Sequence, residues 1–102
     1  MLLARDGGRD ILARAVEVAE AAVRATRRAR DLVNEPANVM TPSALAGAAR
    51  EIAAAGGLQC RVIELGEARA MGMGLFAAVA QGSAEPPKFI VLEYRPDAAS
   101  RT

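Results

Sequence analysis

The 102-residue sequence holds few side chains suited to chemistry. It has no histidine, which removes histidine-dependent triads, histidine general bases and histidine metal sites together. Cys60 lies in a stretch with β character, with no histidine and no evident activating base beside it, and reads as a buried structural thiol rather than a nucleophile. Ser43 reads as a first-turn helix residue and Ser83 as a loop residue; neither sits in a nucleophile elbow. A carboxylate metal site needs several acids converging on one point. Most of the twelve Asp and Glu residues fall beside Arg on helix surfaces or alone at strand ends.

Two further patterns invite a functional reading. Gly72-Met73-Gly74-Leu75-Phe76-Ala77 matches G-x-G-x-x-A, with Glu93 about where a ribose contact would fall. A dinucleotide site needs its glycines directly between a strand and a helix, so that pyrophosphate meets the helix N-terminus. Here a helical segment intervenes, and the match is discounted. The basic run Arg24-Ala25-Thr26-Arg27-Arg28-Ala29-Arg30 could be a nucleic-acid patch, but it has no interleaved aromatic and follows Glu17 and Glu20 on the same helix face. A solvated face is the better reading. Read from residues alone, the chain is a non-catalytic α/β segment.

The elements that carry these residues are set by clear punctuation. From Asp10 to Val33, apolar residues including Ile11, Leu12, Ala15, Val18, Ala19, Ala22 and Leu32 recur at three and four, the period of an amphipathic helix. Its other face carries Asp10, Arg14, Glu17, Glu20, Arg24, Arg27, Arg28 and Asp31, with Asp10/Arg14 and Glu20/Arg24 at i,i+4. Leu12, Val16, Ala19, Val23 and Thr26 also fit a heptad, but small residues make a weak coiled-coil seam. Pro36 forces a stop. Thr41-Pro42 then supplies an N-cap hydroxyl and a first-turn proline for a second helix to about Ala55, ended by Gly56-Gly57.

Beyond it, Leu58 to Leu65 reads as a strand, Glu67 to Met71 as a short helix, and Leu75 to Ala80 as a second apolar segment. Gln81 to Pro87 reads as a loop. Lys88 to Arg95 is the strongest strand, apolar enough to be a central one buried on both faces, and Pro96 stops it. The tail from Asp97 to Thr102 reads as mobile. Local rules for a strand, helix, strand unit favour parallel strands.

Composition bounds the rest. Of the 52% hydrophobic residues, 24 are Ala, and there are two Phe, one Tyr and no Trp, so the buried area available is small. At ~25 cal/mol per Å² such a core is marginal alone, and some apolar surface is expected to need a partner. A net charge of +1 argues against electrostatic capture of nucleic acid or acidic membrane. One cysteine leaves no internal disulfide, so a reducing, cytoplasmic setting is the default. The first residues are too short and too charged for a signal peptide, and no apolar run approaches ~18 residues.

Two segments carry a family resemblance. Arg30-Asp31-Leu32-Val33-Asn34-Glu35-Pro36-Ala37-Asn38-Val39-Met40-Thr41-Pro42 closely resembles the R-D-L-x-N-x-P-x-N-x-x-x-P junction of the leucyl (cytosol) aminopeptidases, the M17 metallopeptidases. The run from Gly72 through Gln81-Gly82-Ser83, Pro86-Pro87 and Lys88 to Tyr94 is similar to that family's L-G-M-x-x-x-x-x-V-x-Q-G-S-x-x-P-P-x-x-I-x-L-x-Y region. Together they span about Asp10 to Pro96.

The resemblance implies an α/β fold, a fragment of an α/β/α mixed-sheet zinc-peptidase-type domain preceded by a long connector helix. Residues 1–33 would be the connector between an N-terminal and a peptidase domain, and residues 34–102 the opening part of the peptidase domain. In a mixed sheet the two strands need not be parallel. The family's enzymes use two divalent metal ions, Zn or Mn, to activate a water that attacks the N-terminal peptide bond. They act on peptide substrates as cytoplasmic homo-oligomers, hexamers in the family, without nucleic acid or membrane partners. The family's G-K-G-x-T-x-D-S-G-G-like metal motif, later acidic ligands and catalytic Arg would fall beyond Arg95.

No catalytic, cofactor-binding or metal residue is therefore carried onto this chain, which is expected to bind no metal and to be inactive alone. The matched positions are architectural: Asn34, Pro36, Asn38 and Pro42 shape the junction, and Gln81-Gly82-Ser83 the loop into the last strand. The competing reading is a free-standing helical interaction module that keeps this architecture and binds partners through the Ala-rich face of its first helix.

Overall fold

The computed structural model describes residues 8–96. They fall into two compact units divided between Pro36 and Ala37. The first holds one helix, α1 (Arg9–Asn34), 26 residues long and rich in Ala, the residue that loses least on entering a helix. Glu20 and Arg24 form the expected i,i+4 pair at 3.7 Å. The helix ends where the proline requires: Glu35 turns to extended backbone (φ −68, ψ 135) while its N–H still donates to the Asp31 carbonyl at 3.2 Å. None of its residues is buried.

The second unit holds α2 (Pro42–Gly56), β1 (Gln59–Glu64), α3 (Leu65–Ala70), α4 (Gly74–Ala80) and β2 (Lys88–Glu93). Thr41 caps α2 as its position predicts, its hydroxyl oxygen accepting from the Ala44 N–H at 3.2 Å, with Pro42 in the first turn. Gly57 ends the helix in the left-handed region (φ 65), and the Leu58 N–H closes back onto the Ala53 carbonyl at 2.9 Å.

The strands pair antiparallel, from Gln59 opposite Glu93 to Glu64 opposite Lys88, a direction that the family resemblance left open and that local rules alone would have made parallel. Two short helices and the loop at 81–87 join them in place of a single crossover helix, and the chain re-enters the sheet from the other end. Alternation puts Cys60, Val62 and Glu64 on one face with Leu92, Ile90 and Lys88, and Arg61 and Ile63 on the other with Val91 and Phe89. The α2 and α3 helices both pack on both strands, and α3 also packs on α4.

Several boundaries differ from the sequence reading. The first strand stops at Glu64, the last residue paired across the sheet, and Leu65 already opens α3. The α4 helix begins at Gly74, and β2 ends at Glu93, two residues short of the expected strand end. A larger correction concerns burial. No residue of β2 is buried, and Val91 and Leu92 are exposed, so it is not a central strand covered on both faces in this chain. The buried apolar residues among those described are Ala46, Ala49, Ala53, Ile63, Ala68 and Ala77, only one of them larger than Ala. Phe76 meets Phe89 edge to face, centroids 5.6 Å apart, although Phe76 is only half-buried and Phe89 is exposed. No helix among the described residues is long and apolar enough to cross a membrane.

Candidate functional site

Each residue singled out for chemistry has a structural occupation. Gly72 takes positive φ (78) to end α3, and the Met73 N–H donates to the Ala68 carbonyl at 3.0 Å, the closure of a Schellman motif. Gly74 then opens α4. The G-x-G-x-x-A match is thus a helix stop and restart, with no strand leading into it. Cys60 is half-buried within β1 opposite Leu92, a partial correction of the buried thiol expected. Ser83 accepts from the Glu85 N–H at 3.1 Å, holding the loop turn ahead of Pro86 and Pro87, and Ser43 sits in the first turn of α2.

Several acids of the second unit are engaged in pairs. The Lys88 ammonium donates to both Glu64 oxygens, at 2.5 and 2.7 Å, Glu67 accepts from Arg61, and Glu93 accepts from Arg95 at 2.8 Å. Among the described residues no group of three or more His, Cys, Asp or Glu side chains comes together to hold a metal ion.

Among the described residues, the second unit holds a hollow of ≈ 300 Å³ between the start of α2, α4 and the loop before β2. Pro42, Phe76, Val79 and Pro87 give it apolar walls, and Lys88, Ser83 and Glu85 lie at its edge. Two of its polar groups are spoken for: Lys88 by Glu64, and the Ser83 hydroxyl by the turn it holds. Such a hollow can accept an apolar side chain. The sequence reading missed it, since its walls come from three separated segments; the one linear signal is a lone Lys at the head of a strand.

The junction residues are better placed to explain the chain. Asn34 is the last residue of α1, Pro36 the last residue of the first unit, Asn38 lies in the turn before α2, and Pro42 is both the first residue of α2 and a wall of the hollow. Gln81, Gly82 and Ser83 form the turn after α4, where the Ser83 N–H donates to the Ala80 carbonyl at 3.2 Å.

The profile of the cytosol aminopeptidase family, catalytic domain, matches residues 27–102. Among curated proteins, the chain is 57% identical over 67 residues to a probable cytosol aminopeptidase of Solibacter usitatus, covering 66% of this chain and 14% of that protein. It is 47% identical over 95 residues to one of Syntrophotalea carbinolica (93% of this chain, 19% of that protein). With one of Geobacter sp. it shares 51% identity over 89 residues (86% and 18%). The chain thus spans less than a fifth of the length of these relatives. No solved structure matches it.

Proposed function

The chain belongs to the cytosol aminopeptidase (M17) family, and from that premise we propose that it supplies architecture to an enzyme that removes N-terminal amino acids from peptides. In this reading α1 is the connector between two domains, and the residues from Asn34 onward open the peptidase domain. The observation that carries it is the coincidence of the family match with the junction: the match starts within α1 and continues through the turn, α2 and both strands.

The two divalent metals that such an enzyme uses would polarise the scissile carbonyl and activate water. The residues described here do not fit them. Among the described residues no three acids or other ligand-type side chains come together, Glu64 and Glu93 are paired with Lys88 and Arg95, and the sequence has no histidine. No step of the hydrolysis is therefore assigned to this chain, and its residues hold the junction and the first two strands in place. Cytoplasmic location and a homo-oligomer follow for the enzyme by family likeness and belong to the same proposal, the relatives being named cytosol aminopeptidases.

The test is an assay of the purified chain on a leucine chromogenic amide with added Mn²⁺ or Zn²⁺. No metal-dependent turnover is expected, and turnover would overturn the architectural role. The exposed apolar side of α1 favours one other reading, the interaction module. Reading the gene past codon 102 separates the two: a continuing frame with the G-K-G and D-S-G-G residues supports the enzyme, and a stop supports the module.

A further inference from the structure

We draw no further inference here: the strongest candidate, the apolar face of α1 running from Ile11 to Val33, carries nothing, because nothing in the structure shows what covers it.

Discussion

Three local devices in the second unit make separable claims at the scale of single residues. Thr41 satisfies one of the orphan N–H groups at the start of α2, so Thr41→Ala is expected to cost about 1 kcal/mol, read by urea denaturation followed by circular dichroism. Two glycines should respond in opposite directions to alanine. Gly72 has positive φ, so a Cβ there is strained whatever the free space, and Gly72→Ala should destabilise by roughly 1–2 kcal/mol. Gly47 lies inside α2 with no heavy atom within 4 Å of the place a Cβ would take, and Gly47→Ala should stabilise by about 0.5–1 kcal/mol through helix propensity. Equal effects at the two glycines would refute the conformational account. The Lys88–Glu64 pair is asymmetric as well: the lysine side chain is 15% exposed and the carboxylate 58%. Glu64→Gln removes the counter-charge from a lysine whose side chain is mostly covered, whereas Lys88→Met leaves a carboxylate that water can solvate. The first substitution should therefore be the more damaging in the same denaturation measurement, and the reverse order would show that the pair is held by Glu64.

Among the elements, what could be read in advance and what could not divide along a physical line. Pro36, Thr41-Pro42 and Gly57 act within a few residues of themselves, so the end of α1 and both ends of α2 were legible to within a residue or two. The strand direction was not, because it depends on how two short helices and a loop return the chain, which no local pattern encodes. Leu65 was misplaced because an apolar residue at a strand end suits either a strand or a helix start, and the pairing register that ends at Glu64 opposite Lys88 joins residues 24 apart. The lack of histidine is plain in the composition, whereas the hollow around Phe76 was not legible, since its walls converge only after folding. The elements also differ in protection. With no buried residue, α1 should open locally at little cost, while α2 is anchored through Ala46, Ala49 and Ala53. Limited trypsin treatment of the full chain should cut first at Arg24, Arg27, Arg28 or Arg30 and leave the segment that follows the junction, as read by mass spectrometry. Early cleavage at Arg50 or Arg61 instead would show that the second unit is the weaker one.

For the whole molecule, the deciding fact is where the large apolar side chains lie. Leu75 is 87% exposed, Val79 84% and Val33 82%, while Ile63 is the one buried apolar residue larger than Ala among those described. Burial of a few Ala side chains recovers little, at ~25 cal/mol per Å², against the backbone entropy of ordering the chain. The two-stranded sheet has an unpaired edge on each side, and such edges template further pairing. Exposed apolar surface and open edges act in the same direction, so the purified chain is expected to self-associate or to be poorly ordered. Light scattering across a dilution series should show mass above that of a 10.6 kDa monomer, or hydrogen exchange should show little protection in β2. The driving surface is apolar, so added salt should not dissolve the association, in contrast to an assembly held by the arginines of α1. A cooperative, protected monomer at all concentrations would mean that the thin alanine core suffices and that the chain does not depend on other structure to cover it.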